Sequence, residues 1–171
     1  MPIAVLPALI PDIPRLYEIY FASFKNDMMG RVIVDILFPG GKTDTAEFRD
    51  AHARATLDWW HKCDHQYTLK CVDTDTGDIV GMGLGDAHFR ERSAEERKFE
   101  GCAWLEGKER ERADAVLVPL AEMRERLWGG QRYIYVHVIA VDPKHQGPRR
   151  RQGLHRVGAG HGRGVRRTRL L

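Results

Sequence analysis

The sequence predicts an α/β (α+β) protein built on a mixed, mainly antiparallel sheet flanked by helices, with an irregular basic tail at the C-terminus. Two observations predict this class. Runs of β-branched and aromatic residues separated by a glycine turn are typical of antiparallel strands, and apolar residues spaced three and four apart indicate amphipathic helices between them. The 171 residues, 43% hydrophobic and 30% charged, have the composition of one globular domain.

The first third of the chain predicts a strand and two helices, with one undecided segment between the helices. Residues 3–6 indicate a strand, and Asp12 with Pro14 then opens a helix whose apolar residues recur at helical spacing. The apolar run within residues 28–41 fits either a helix or a strand. Residues 43–62 predict a helix capped by Thr43 or Asp44. Its expected apolar surface comprises Phe48, Ala51, Ala55, Leu57 and Trp59.

The middle of the chain predicts a hairpin followed by a charged segment. Residues 67–73 and 78–85 are typical of two antiparallel strands joined by a turn that ends in Gly77. Residues 86–114 carry charges of both signs and indicate a solvated loop or an exposed helix, so we assign no chemistry to them. Apolar spacing resumes in residues 113–127, which predict a helix that Gly129 and Gly130 end.

The strongest strand signal lies in residues 133–141, which are mostly β-branched or aromatic and are stopped by Asp142 and Pro143. Strict alternation along this strand predicts two different faces. One face is aliphatic and should lie against helices: Ile134, Val136, Val138 and Ala140. The other is mixed and should form the wall of a cleft: Tyr133, Tyr135, His137, Ile139 and Val141.

Residues 138–147, Val-Ile-Ala-Val-Asp-Pro-Lys-His-Gln-Gly, resemble motif A of the GCN5-related N-acetyltransferase superfamily, in which a central strand leads into a glycine-rich turn and a helix. The resemblance implies transfer of an acetyl group from acetyl-CoA to a primary amine on a small molecule or a protein. It also implies that the main chain of Ile139, Ala140 and Val141 pairs with the pantetheine arm of the cofactor. Gln146 and Gly147 would then contact the cofactor in the turn.

The same resemblance implies two catalytic residues. His137 lies where the arylalkylamine N-acetyltransferases carry a histidine proposed as the base, and Tyr135 replaces the second histidine of their H-x-H. Acetyl transfer requires a deprotonated amine, so a positioned base is useful. The alternative interpretation of His137 is a half-buried strand residue whose ring makes a structural hydrogen bond.

The family pattern and the composition both change after Gly147. The family turn reads Q/R-x-x-G-x-G/A, whereas Gln146 is followed by Gly-Pro-Arg-Arg-Arg-Gln, and Pro148 has no N–H donor. Residues 1–147 carry a net charge of −5, while residues 148–171 hold eight Arg, five Gly and no acid. This division predicts the N-terminal part of an acyltransferase domain in 1–147 and a disordered Arg/Gly-rich tail in 148–171.

A change of reading frame would explain so abrupt a break. In a frame shifted forward by one base, the codons of residues 148–152 permit Arg-Gly-Val-Gly-Lys, which supplies the missing glycines. The hypothesis predicts a truncated acyltransferase of impaired activity, and sequencing the gene across codons 146–151 would test it.

Other features bound the location and the cofactors. No apolar run approaches the roughly 18 residues of a membrane span. The N-terminus also lacks the basic segment of a signal peptide, so we expect a cytoplasmic protein with no membrane partner. Cys63, Cys71 and Cys102 form no C-x-x-C pair, which predicts reduced thiols and no metal site.

Two other functions stay open. The arginines of residues 148–171 could bind nucleic acid or another polyanion without catalysis, although no aromatic residue interleaves with them for base stacking. The chain could also be a degenerate protein with no biochemical role. Neither the acceptor amine nor the oligomeric state follows from the sequence.

Overall fold

The computed structural model describes residues 2–25 and 27–146. In this part of the chain, a four-stranded antiparallel sheet with its strands in chain order is accompanied by five helices. The strands are β1 (Ile3–Pro7), β2 (Gln66–Asp73), β3 (Ile79–His88) and β4 (Tyr133–Val141). The helices are α1 (Ile13–Lys25), α2 (Met28–Leu37), α3 (Ala46–Lys62), α4 (Ala94–Arg97) and α5 (Gly107–Trp128). The predicted α/β class with a mainly antiparallel sheet is confirmed.

Side-chain caps decide the helix starts that periodicity left open. The Asp27 carboxylate accepts a hydrogen bond from the Gly30 N–H, so the undecided apolar run begins as a helix, α2. The Thr45 hydroxyl accepts from the Phe48 N–H and starts α3, so the prediction of a cap at Thr43 or Asp44 is wrong by one or two positions. Helix α5 begins at Gly107, earlier than the apolar spacing predicts, because its first turns are charged on all sides.

The main core lies between α1 and one face of the sheet. Leu16 and Ile19 of α1 are fully buried and pack against Met82 of β3 and Ala140 of β4. Burying an aliphatic side chain of this size contributes about 1.5 to 3 kcal/mol. Helix α1 thereby fixes the position of the last third of β4, which is the segment that resembles motif A.

Helix α3 packs through a different stripe from the predicted one. Ala51 and Ala55 are exposed, whereas His52 and Thr56 lie toward α1. The His52 ring stacks on Phe48, with 5.5 Å between ring centroids, and the Thr56 hydroxyl is 2.5 Å from the Tyr17 hydroxyl. The apolar pattern missed this stripe because two of its members are polar residues with aromatic or hydrogen-bond partners.

The charged segment also encloses a small core of its own. Cys102 and Ala113 are fully buried and, with Leu105, pack against Ile36 and Leu37 of α2. The prediction of a solvated loop or an exposed helix is therefore wrong for Cys102, Leu105 and Ala113, although most residues between them are exposed. The many charged residues of this segment masked, in the sequence pattern, the few apolar residues through which α5 packs against α2.

The prediction of the two faces of β4 is wrong for its first half. Val138 and Ala140 face the core, but Ile134 and Val136 are 52% and 51% exposed. The pairing with β3 explains the change: Val138 is opposite Leu84 and Val136 is opposite Gly85, which leaves His137 as an extra residue. Such a β-bulge reverses the faces on its two sides.

Several predictions concern residues that the structure does not describe. The cofactor contact of Gly147, the disordered tail in 148–171 and its binding of polyanions all fall outside the described residues. Within residues 2–25 and 27–146, none of the helices has the length and apolar character that a membrane crossing requires.

Candidate active site

The bulge at His137 organises the site. Gly85, opposite Val136, permits it, because a Cβ atom at this position would lie 2.6 Å from the carbonyl oxygen of Tyr135. A bulge bends its strand and redirects a side chain. Here it turns the imidazole of His137 toward β3, across the face that also carries Tyr135 and Asp86.

His137 and Asp86 form the central contact of the site. The His137 Nε2 atom lies 2.7 Å from Asp86 Oδ2, although the two residues are 51 positions apart in the chain. The Asp86 side chain is 10% exposed, whereas that of His137 is 31% exposed. The Asp86 carboxylate is therefore a buried group that fixes the orientation of the His137 ring, and part of that ring remains accessible to a ligand.

The electrostatic surroundings keep Asp86 ionised. Burial by itself raises the pKa of this carboxyl group, but the hydrogen bond and charge of His137 lower it. The charge of His65 and a weaker hydrogen bond from the Gln66 side-chain amide add to this effect, so the net pKa lies below its ordinary value. At neutral pH the His137 ring thus faces a carboxylate, which can accept hydrogen bonds but cannot donate one.

Tyr135, the second residue to which the resemblance assigns a catalytic role, lies beside His137 on β4. Their ring centroids are 4.9 Å apart in an edge-to-face arrangement. The guanidinium of Arg124, from α5, lies 4.8 Å from the centroid of the Tyr135 ring on the same strand face. The structure therefore brings both predicted catalytic residues together and places a cation next to them.

A second group of polar residues continues along β3. His88 is 4% exposed, and its ring centroid lies 4.9 Å from those of both His65 and Tyr133. Burial first, and then the charge of Arg92, lowers the pKa of His88 to about 4. His88 is consequently neutral at physiological pH.

His65, Asp86 and His88 are residues of the types that bind transition metals, and their ligand atoms lie within 4.8 Å of one another. However, Asp86 already accepts hydrogen bonds from His137 and Gln66. The charges of the arginines on α5 and before α4 also act on His88 and oppose a cation there. We therefore assign no metal to this group.

Those predicted cofactor residues that the structure describes lie at the end of β4 and just after it, at an edge of the described sheet. Among the described strands, β4 has a neighbour on the β3 side alone, so its other edge carries main-chain groups without a strand partner. Ile139 is half exposed there, whereas Ala140 is buried against α1. The side-chain amide of Gln146 folds back and donates to the Val141 carbonyl oxygen at 2.9 Å.

Asp86 and His88 were missed because they belong to the charged segment to which no chemistry was assigned. One signal was present in the sequence. Gly85-Asp-Ala-His88 continues the strict alternation of β3 beyond the predicted end of the strand, and its polar members lie on one face. Recognising this continuation would have placed both side chains next to β4.

Comparison with known proteins identifies the fold. No protein-family model matches the sequence, and no curated protein is significantly similar to it. Among solved structures, the chain is similar to histone acetyltransferase HPA2 and related acetyltransferase from Corynebacterium glutamicum, with 18% identity, a TM-score of 0.54, and coverage of 94% of this chain and 72% of that one.

Two further solved structures have the same architecture. The mosquito arylalkylamine N-acetyltransferase like 5b is 16% identical with a TM-score of 0.55, and the match covers 96% of this chain and 72% of that one. The C-terminal condensation domain of Ebony, in complex with beta-alanyl-dopamine, is 14% identical with a TM-score of 0.57, over 94% of this chain and 68% of that one. The chain therefore has a fold like that of the GCN5-related N-acetyltransferases.

Proposed function

We propose that the chain is an acetyl-CoA-dependent N-acyltransferase that acetylates a primary amine, and that this form of it has impaired activity. One observation carries the proposal. The imidazole of His137 is held by a buried carboxylate on the strand face next to the edge segment that resembles the cofactor-binding part of motif A. The fold that this chain shares with known acetyltransferases supports the same function at a coarser level.

The edge of β4 is the proposed binding site of the cofactor. An extended pantetheine arm can pair with the outward main-chain groups in the segment Ile139, Ala140 and Val141 as an added strand would, displacing the Gln146 side-chain amide from the Val141 carbonyl oxygen. Burial of Ala140 against α1 keeps this segment rigid, which reduces the entropy lost on binding. Gln146 and Gly147 would begin the turn that contacts the pyrophosphate.

His137 is the proposed base and Tyr135 its companion. In a direct transfer, the amine loses a proton, its nitrogen attacks the thioester carbonyl carbon, and the carbon–sulfur bond breaks to release CoA. His137 would accept the proton, because its ring is partly exposed and is oriented by Asp86. Tyr135 would contact the amine from the adjacent position, since its ring lies against that of His137.

The impairment is proposed from the sequence after Gln146. The family turn binds pyrophosphate through backbone N–H groups, and proline at position 148 removes one of them. The glycines that would let the backbone approach the phosphates are also absent at the required spacing. We therefore expect acetyl-CoA to bind weakly rather than the amine to react slowly.

We also propose a cytoplasmic location, because all three cysteines are unpaired. Cys71 and Cys102 are buried and Cys63 is partly buried. Burial raises the pKa of the Cys71 thiol to about 11, so this group stays protonated and unreactive at neutral pH. Such thiols are typical of proteins in a reducing compartment.

Mass spectrometry of acetyl transfer tests the proposed function. The chain would be incubated with acetyl-CoA and a panel of arylalkylamines, polyamines and lysine peptides, beside a version in which Arg-Gly-Val-Gly-Lys follows Gly147 and the domain continues. At acetyl-CoA concentrations below saturation we expect slow transfer by the 171-residue chain and faster transfer by the extended version, each lowered about 10²- to 10⁴-fold by His137→Ala. No transfer by either version would refute the function, and equal rates would refute the impairment.

A further inference from the structure

The hydrogen bond between His137 and Asp86 distinguishes the two ring nitrogens of the histidine. It joins Asp86 Oδ2 to Nε2 at 2.7 Å, not to Nδ1. An ionised carboxylate has acceptor atoms alone, so the hydrogen of this bond must be on Nε2. In the neutral ring the other nitrogen, Nδ1, then carries the lone pair.

We propose that Asp86 is the positioning residue of the reaction: it holds His137 as the Nε2–H tautomer and so makes Nδ1 the atom that takes the proton from the acceptor amine. This inference rests on the proposed function for its chemical step, but the tautomer itself is a property of the unliganded chain. It assigns a role to a residue in a segment whose sequence pointed to no chemistry.

Three features hold Asp86 in place for this role. Its backbone pairs with Tyr135 in the β3–β4 register, so the carboxylate lies on the same face as the bulge. Its side chain is largely buried, and Oδ1 accepts a hydrogen bond of 3.4 Å from Gln66 Nε2. The carboxylate thus has little freedom to rotate away, and the ring of His137 is fixed through it.

The step balances without any further reactant. The ammonium form of the acceptor gives one proton to Nδ1, and the free amine forms a bond to the acetyl carbon. The carbon–sulfur bond breaks, the thiolate of CoA leaves with the electron pair, and the second amine proton departs to solvent, from which the thiolate is protonated. While Nδ1 holds its proton, the ring is an imidazolium, which the Asp86 carboxylate stabilises.

Other charged and titratable groups face this pair from each neighbouring element. His65 and His88 interact with Asp86 through charge, and the charge of Asp86 acts on the Cys63 thiol, but the hydrogen bond from Nε2 to Asp86 is what selects the tautomer. Tyr135 of β4 contacts the His137 ring, Arg124 of α5 lies over the Tyr135 ring, and the Asp64 side chain is exposed.

Nitrogen NMR of the ring tests the inference directly. The 171-residue chain would be labelled with ¹⁵N-histidine, and two-bond ¹H–¹⁵N correlations recorded at neutral pH, with His137→Gln to assign the signal among the eight histidines. We expect the Nε2–H tautomer in the native chain. In Asp86→Asn the amide can donate to Nε2, so the proton should move to Nδ1, whereas Asp86→Glu should keep the native tautomer.

The kinetic readout separates positioning from a structural role. For Asp86→Asn we expect kcat to fall about 10²- to 10⁴-fold, the range of a lost general base, with KM for the amine changed by less than about threefold. The kcat of Asp86→Glu should be at least about tenfold higher than the kcat of Asp86→Asn. The matched control is Asp73→Asn, which alters another buried acid at the other end of the hairpin and should change neither the tautomer nor kcat.

Each outcome decides something. A native Nδ1–H tautomer, or an unchanged tautomer in Asp86→Asn, would overturn the inference even if acetyl transfer occurs. A kcat loss in Asp73→Asn equal to that in Asp86→Asn would also overturn it, since the effect would then be one of stability. If the tautomers behave as expected but no amine is acetylated, the proposed function fails and the positioning of His137 by Asp86 stands.

Discussion

Arg15 and Asp142 form an ion pair that joins the first turn of α1 to the end of β4, across 127 positions of the chain. The Asp142 side chain is 8% exposed, and its carboxylate also accepts a hydrogen bond from the Lys144 N–H at 2.9 Å. One acidic residue therefore shapes the turn after β4 and fixes that turn to the helix that covers the sheet. This turn is where the proposed cofactor site begins.

Asp142→Asn should lower the free energy of unfolding by about 1 to 2 kcal/mol, because the amide keeps the turn but removes the charge that ties Arg15 to the end of β4, so that Arg15 keeps its ion pair with Glu18 of its own helix. Urea denaturation of the two proteins measures the difference. The matched control is Asp44→Asn, an exposed acid paired with Lys25 and Arg49, which should change stability by less than about 0.5 kcal/mol. Equal effects would show that Asp142 acts as an ordinary surface charge.

The stability difference between the native chain and Asp142→Asn should also depend on pH. Burial raises the pKa of Asp142, but the Lys144 N–H and Arg15 outweigh it, and the net pKa lies below the ordinary value. A carboxyl group of lowered pKa stabilises the folded state above its unfolded pKa and loses that contribution as the pH falls through the folded value. The two urea curves should therefore differ at pH 6 and converge below about pH 4.

Gly85→Ala should disrupt the bulge that directs His137 toward Asp86. The new Cβ atom would lie 2.6 Å from the Tyr135 carbonyl oxygen, so β4 must shift, at a cost of about 1 to 3 kcal/mol. Gly83→Ala is the control, because its Cβ would meet the Val138 carbonyl oxygen at 4.0 Å. The midpoint of thermal unfolding and the NMR signal of the His137 ring report the result. If both variants changed these two quantities equally, the close contact between position 85 and the Tyr135 carbonyl oxygen would be refuted.

His52 should make stability fall as the pH is lowered from about 6.5 to 4. Burial lowers the pKa of His52 to about 4, so in this range the unfolded chain takes up a proton that the folded chain does not, which favours unfolding. The loss is on the order of 2 kcal/mol. His52→Gln should flatten this part of the profile, whereas His61→Gln, on the same helix but exposed, should not; two parallel profiles would contradict the prediction.

The sheet face opposite α1 should promote self-association. Among the described residues, Ile134, Val136 and Ile139 remain about half exposed on this face of β4. Contiguous exposed apolar side chains on an edge strand favour strand-to-strand pairing. We expect the chain to aggregate in size-exclusion chromatography, and the double variant Ile134→Thr with Val136→Thr to elute later. A monomeric native chain that unfolds cooperatively above about 50 °C would show that this face of β4 does not promote self-association.

Local sequence patterns predicted most of the fold. The density of β-branched and aromatic residues correctly predicted where β4 begins and ends. The turn at Gly77 correctly predicted the hairpin formed by β2 and β3. These signals are local, since they depend on residues adjacent in the chain. The same alternation assigned Val136 to the wrong face, because the bulge depends on Gly85 of the neighbouring strand, which a single-strand pattern cannot include.

The site was only half predictable for the same reason. His137 and Tyr135 were found through their spacing from the segment that resembles motif A. Asp86 is 51 positions from its partner, and no local pattern joins them; the pairing follows from the register of β3 with β4. Charges around residue 86 also suggested a solvated segment, although the strand continues to His88.

Calorimetric titration with acetyl-CoA tests the central claim most directly. It compares the 171-residue chain with the version that carries Arg-Gly-Val-Gly-Lys after Gly147 and continues as a full domain. We expect the extended version to bind with a micromolar dissociation constant and the 171-residue chain to bind at least about 100-fold more weakly, a difference of roughly 2.8 kcal/mol in binding free energy. Failure of the extended version to bind would contradict the assignment of an acetyl-CoA site to β4, and micromolar binding by the 171-residue chain would contradict its impairment.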